Sequence, residues 1–419
     1  MLLLFCLFTI IALLTTRSIS AYHCRCQRIL WITTFVCYAG FTMVSHLYVD
    51  NPSSTYFISR DQMFFYDEAI SLSGYDYIDI FTISLLNFKY SEARLAFVLF
   101  GSLAKLASSL GVTDILLFLK FHVAFVASLI PVIAYKIILL KRTDITGLHR
   151  KLLVFALISP LLIYSCQLLR DIHVCLLFTI MFYVALHPKL LFRYVWLLLL
   201  AIIIFCFRME NGLFSVAIMA IPLYRTFRTG GIVKKSIIMA AGAVFCVLAL
   251  IPIMDVMNDT LVRYAERSSD EASSSSLGDK LNLLPPPFGV LTKTCFSQLL
   301  PFPLWLRLTT GESYAYLRIV ESFFPFYWIP IWMSLFYGWW NYRKKWDKDV
   351  LVVFYVSIFY ILLNSMGEFH VRRLMAVYPA LLVCFLLLQQ QFQLKKQEMN
   401  KLSFVAYILL HIVYLSIKV

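Results

Sequence analysis

Two things are scarce in this 419-residue chain: charge and glycine. Only 14% of its residues are Asp, Glu, Lys or Arg, where a soluble domain carries about 25%. Glycine occurs 14 times, about half its usual frequency, and no G-x-x-x-G lies inside an apolar run. Transporters built on broken midplane helices need paired glycine or proline interruptions in matching halves, and no repeated half is visible. Metal-ligand spacing is missing too. Cys24-x-Cys26 has no His/Cys partner pair downstream at zinc spacing. Most of the ten cysteines sit inside apolar runs, where a thiol behaves as a small hydrophobe. Cys295 alone falls in a large polar loop, so no disulfide framework is expected.

What fills the chain instead is apolar: 61% of the residues are AVILMFWYC and the mean hydropathy is +0.80. About twelve stretches read as membrane spans: 2–16, 29–47, 114–140, 152–168, 172–187, 194–207, 211–224, 236–254, 327–341, 350–365, 374–390 and 402–418. In lipid they have to be helices, because a helix satisfies its own backbone. The expected fold is therefore all-α: one polytopic integral membrane helix bundle over residues 1–419. The run 2–16 reads as a span rather than a signal peptide, because Arg17 follows it instead of preceding it. Residues 95–110 carry Lys105 and several small residues, and read as a half-inserted or surface helix.

Basic residues set the orientation. Every odd-numbered loop is rich in Lys and Arg, including Lys141 and Arg142, Arg225 and Arg228, and Arg343 to Lys345. Twenty of the 37 basic residues fall in these six loops, against only four acidic ones. The six loops are thus expected in the cytoplasm, with both termini outside. The formal charge of +14 is then an orientation signal and an attraction to anionic lipid, and does not imply nucleic acid.

With that topology, the remaining ionisable residues gather on the outer side. Loop 48–94 carries Asp61, Asp67, Glu68, Asp76 and Asp79 among aromatic residues. Its segment 61–72 places Phe65, Ala69 and Leu72 at helical spacing, as in an amphipathic helix lying on the membrane. The fourth span ends at Arg170-Asp171 and the sixth at Arg208-Met209-Glu210-Asn211-Gly212. The tenth leads into Gly367-Glu368-Phe369-His370-Val371-Arg372-Arg373. Loop 255–326 begins Ser-rich, then turns apolar around Pro285–Pro287, which suits either a lid or a rigid spacer. Carboxylates here could take a proton from an acceptor hydroxyl, and arginines could hold the phosphate of a lipid-linked donor. Charged residues in or beside spans are otherwise costly to keep.

Asp61-x3-Phe65-x3-Ala69-x4-Gly74 resembles the acidic first-outer-loop pattern of GT-C superfamily membrane glycosyltransferases. Ser159-Pro160-x3-Tyr164-Ser165-x4-Arg170-Asp171 resembles their fourth-span ending. Gly367 to Arg373 followed by Pro379 is similar to their arginine-bearing turn. The chain departs from the pattern in having Phe65 where Tyr is commoner and in a long spacing before Asp61.

The resemblance implies transfer of a sugar, with inversion, from a polyprenyl-phosphate-linked donor to a glycan or lipid-linked acceptor in surface-glycan assembly. The catalytic carboxylate is then Asp61, or the Asp67-Glu68 pair. Arg170, Asp171, Arg208, Glu210, His370, Arg372 and Arg373 would bind substrate. It further implies a multi-pass bacterial plasma membrane protein working on the outer face. O-antigen or capsule repeat-unit polymerases have a similar appearance, and a lipid-linked-anion transporter or flippase would also use arginines. No cofactor is expected. Asp67, Glu68 and Asp76 could hold a divalent metal but form no recognisable ligand set.

Overall fold

The structure is a computed structural model and describes residues 2–18, 20–49, 60–188, 190–229, 231, 288–298, 320, 323–366, 371–392 and 396–418. The expected span 236–254, most of loop 255–326 and the segment Gly367–His370 lie outside the described residues. Among the described residues the fold is helical throughout, with no strand.

The helices run in chain order as α1 (Leu2–Thr15), α2 (Ala21–Tyr48), α3 (Arg60–Ser73), α4 (Tyr77–Leu86), α5 (Arg94–Ser109), α6 (Ile115–Leu139), α7 (Leu148–Ile158), α8 (Leu161–Ser165), α9 (Asp171–Leu186) and α10 (Arg193–Phe207). They continue as α11 (Met209–Ser215), α12 (Ala220–Thr229), α13 (Phe288–Ser297), α14 (Phe324–Tyr342), α15 (Lys348–Met366), α16 (Val371–Leu374), α17 (Tyr378–Phe392) and α18 (Lys396–Lys418). Among the described residues four helical stretches are long and apolar enough to cross a membrane: α2, α6, Lys348–Ser365 of α15, and the run Val371–Phe392 formed by α16 and α17. Shorter apolar helices include Cys6–Thr15, α9 and α10.

Helix α6 sits at the centre. It is apolar on every side, as a helix surrounded by others must be. It packs against α2, α9, α17, α7 and α5. Its start is fixed twice by Asp114, which accepts the Leu117 N–H at 2.9 Å and meets His46 Nε2, at the end of α2, at 2.6 Å.

Two of the expected spans are interrupted. Residues 152–168 divide at Ser159-Pro160 into α7 and α8. A proline forces its predecessor out of the helical region, and Ser159 is extended at φ −74°, ψ 166°. Residues 211–224 form α11, a 3₁₀ turn at Val216–Met219, and part of α12. The junction between α10 and α11 is tight. A Cβ on Gly212 would lie 2.8 Å from the Phe205 backbone nitrogen and closer still to the Phe205 Cα, so no larger residue fits.

The outer-loop expectation is also modified. Helix α3 does bury Phe65, Ala69 and Leu72, but that face is covered by α5 rather than left free for a bilayer. The Phe65 ring lies 5.2 Å from Phe97 and 5.8 Å from Phe100. Helix α5 presents Ala96, Phe97, Phe100, Gly101, Ala104 and Ala107 as a buried stripe. Its small residues admit close approach: a Cβ at Gly101 would sit 2.9 Å from Leu72 Cβ.

Charge collects at the two ends of α9, which at 1.5 Å per residue lie about 24 Å apart. At its first residue Asp171 meets Arg208. At its last, the Leu186 carbonyl accepts from Arg225 Nη2 at 3.4 Å, and Arg225 also pairs with Asp349. Asp349 further meets Lys141 Nζ at 2.6 Å, which lies 3.0 Å from Asp347. Residues expected outside and residues expected inside are thus gathered at opposite ends of one helix.

Candidate functional site

At the Asp171 end, three carboxylates each sit in the first turn of a helix: Asp61 on α3, Asp171 on α9 and Glu210 on α11. Unsatisfied N–H groups there give a partial positive charge that favours an anion. Local sequence explains each placement. The turn ahead of α9 is held by Gln62, whose Oε1 accepts the Leu168 N–H at 3.0 Å, so α3 is pinned beside Arg170 and Asp171. Helix α10 stops at Phe207, and Arg208 is extended, which swings its side chain between the starts of α9 and α11.

Arg208 joins two of the carboxylates. Its Nη1 donates to Asp171 Oδ1 and its Nε donates to Glu210 Oε2 at 3.1 Å. Arg208 is 3% exposed and Asp171 6%, so this link is sealed from solvent. Arg372, Arg170 and Arg373 also lie within electrostatic reach of Asp171. Burial pushes the Glu210 carboxyl up, but the charges of Arg208, Arg373 and Arg170 outweigh it and hold the group below the usual carboxylate range.

Arg170 caps α9 and donates from Nη1 to the Glu92 carbonyl, with the Phe207 carbonyl at 3.4 Å. Burial, then the like charge of Arg208, bring its guanidinium down to about 10. It remains charged at neutral pH.

Asp61 pairs with Arg372. This pair is more open than the first: the Asp61 side chain is 49% exposed and that of Arg372 21%. Behind it, the buried Tyr360 hydroxyl lies 2.9 Å from the Arg373 carbonyl and 3.1 Å from Asn211 Oδ1, tying α15, α16 and α11 together. The site therefore has a sealed pair beneath and an accessible pair at its rim.

Most of the expected residues converge here: Asp61, Arg170, Asp171, Arg208, Glu210, Arg372 and Arg373. Asp67 and Glu68 are placed otherwise. Glu68 is two helical turns from Asp61, where it accepts from Lys89 Nζ at 2.6 Å and the Tyr90 hydroxyl at 2.7 Å. Burial and this bond push the Tyr90 hydroxyl up to about 12. Asp67 is exposed on α3. His370 lies outside the described residues. Among the described residues no group of three His, Cys, Asp or Glu side chains gathers as metal ligands would.

Sequence reading passed over Gln62 and Tyr360 and gave Asn211 no role, though these position the charges without carrying any. It also passed over His122 and His173, whose Nε2 atoms lie 3.2 Å apart between α6 and α9, two residues from Asp171. The available signal was a polar side chain interrupting an otherwise apolar run. No family model, curated protein or solved structure matches this chain.

Proposed function

We propose that the protein is a multi-pass membrane glycosyltransferase of about twelve spans. It would act on the extracytoplasmic face of a plasma membrane, in surface-glycan assembly. The donor is a polyprenyl-phosphate-linked sugar, and the acceptor a hydroxyl on a glycan or lipid-linked glycan. The observation that carries this reading is the open Asp61–Arg372 pair beside the sealed Asp171–Arg208 pair, which Arg208 extends to the half-buried Glu210.

In this reading, donor phosphate competes with Asp61 for the Arg372 guanidinium, with Arg170 as the second cation. Arg offers the planar fork that suits phosphate oxygens. Released from its partner, Asp61 accepts the acceptor hydroxyl's proton while that oxygen bonds to the sugar's anomeric carbon. The bond from that carbon to phosphate oxygen breaks, and polyprenyl phosphate leaves with its new negative charge held by the arginines. Arg208 has both hands occupied, and its role is to position the site.

Asp61→Asn is expected to abolish glycan transfer in membranes holding normal amounts of protein. Transfer near the wild-type rate would remove Asp61 from the role. The intermediate accumulating in a deletion strain checks the donor. Lipid-linked monosaccharide supports the transferase, whereas lipid-linked oligosaccharide repeat units would transfer the same residues to a polymerase.

A further inference from the structure

The opposite, basic end of the bundle holds a separate cavity of about 260 Å³ between the α6–α7 connection, the α14–α15 connection and α17. Its wall includes Lys141, Arg142, Lys345, Trp346, Asp347 and Leu388. We infer that this cavity binds the phosphate headgroup of an anionic membrane lipid. The inference does not rest on the transferase reading.

Three observations converge. First, the cations outnumber the acids. Asp347 is the one carboxylate in the wall, and it is engaged with Lys141 at 3.0 Å. Among the described residues Arg142 reaches only Asp144, at 4.0 Å, and both side chains of that pair are open to solvent. The Lys345 backbone is fixed through its carbonyl, which accepts from Gln391 Nε2 at 2.9 Å, and its exposed side chain stands at the rim. Basic pockets between spanning helices on the positively charged side of a membrane are suited to lipid headgroups.

Second, Trp346 is 4% exposed and its indole N–H is buried with no acceptor among the described residues. A buried donor left unmatched is costly, and Trp346 lines this cavity beside the cations, so in the inferred complex a small shift of the ring would give its N–H a phosphate oxygen. Third, the wall is two-faced. Leu387, Leu388 and Val350 line it alongside the cations, which fits a headgroup continued by a glycerol and acyl chain better than a free anion. Tryptophan at this level also suits the membrane–water boundary.

The test uses the full chain purified in detergent and examined by native mass spectrometry. Phosphatidylglycerol and phosphatidylcholine with matched acyl chains are offered separately, and inorganic phosphate is offered alone. Wild-type protein should retain phosphatidylglycerol in preference to phosphatidylcholine. Arg142→Gln and Lys345→Gln should each weaken that retention about fivefold, with Lys345→Arg close to wild type. Trp346→Phe, which keeps the ring and removes the N–H, should weaken it as well. Lys141 is left intact because it also holds Asp349. Equal retention of the two lipids would overturn the inference. So would unchanged retention in the Arg142→Gln/Lys345→Gln double variant, or thermal protection by inorganic phosphate equal to that by phosphatidylglycerol.

Discussion

Replacing Arg208 by Met removes the cation shared by Asp171 and Glu210 while roughly keeping its volume. Asp171 is then a buried carboxylate without a direct partner, and removing one member of such a pair costs about 3–5 kcal/mol. Two features of the site place the expectation at the low end, about 3 kcal/mol. Arg170, Arg372 and Arg373 still attract Asp171 from a distance. The Glu210 side chain is 35% exposed, so its share is screened to well under about 1 kcal/mol. Asp171→Asn should be milder, about 1–2 kcal/mol, because Arg208 keeps Glu210 and the amide oxygen can still accept from Nη1. Asp171→Leu with Arg208→Met removes both buried charges together. The double variant should therefore be less destabilised than the sum of its singles, by about 2 kcal/mol. Equilibrium unfolding in mixed micelles of Arg208→Met, Asp171→Leu, the double variant and the wild type closes the cycle. A cost below about 1 kcal/mol for Arg208→Met, or singles that simply add, would refute the claim that this pair is sealed and coupled. Steady-state kinetics on Asp171→Asn separate positioning from donor binding, since a positioning pair lowers kcat while a lost phosphate contact raises KM for the lipid donor.

Three further outcomes follow from the same geometry. Gly212→Ala should destabilise far more than Gly338→Ala in thermal unfolding. The first meets the Phe205 backbone, whereas the second meets the flexible end of Leu388, with Cγ at 3.1 Å; equal losses would contradict the close α10–α11 junction. Glu68→Gln should cost less than about 1 kcal/mol, given a Lys89 partner that is 54% exposed, and leave glycan transfer within twofold of wild type; loss of transfer would move the base from Asp61 to Glu68. Because Glu210 titrates lower in the folded state, its contribution is complete above the unfolded carboxylate range near pH 4–5 and fades as pH falls through the folded value. Glu210→Gln should flatten that part of a stability–pH profile, and an unchanged slope would argue against the Arg208 pairing.

The sequence exposed the separation of two charge clusters well and helix continuity poorly, for a physical reason. Lys and Arg mark loops whatever the helices do between them, so residues read as outer and inner meet at opposite ends of α9. Hydropathy windows, by contrast, average over backbone breaks. Ser159-Pro160 stops a helix inside a run that remains apolar on both sides, and Arg208 turns the chain where Gly212 lets it double back. The Asp61–Arg372 pair joins residues 311 positions apart, which no local pattern encodes. Gln62 shows the limit at its smallest scale. Next to the conspicuous Asp61, it is the neighbour that is fully buried and docks α3 on the turn before α9.

Burial divides the arginines into two kinds, and that division bears on what the site can do. A guanidinium held by two carboxylates at 3% exposure has already exchanged its hydration for fixed partners, so an incoming phosphate would have to break both bonds to use it. Arg372 pairs with Asp61 at an exposed helix end, and Arg170 is held by carbonyls rather than by a countercharge at bonding distance. In the proposed reading those two are the cations that meet the donor phosphate. The sealed arginine keeps two helix starts and their carboxylates in register, so a charge arriving at the rim meets an arrangement that does not have to reorganise. On this division, loss of Arg208 should be felt first as loss of structure, and loss of Arg372 first as loss of donor affinity.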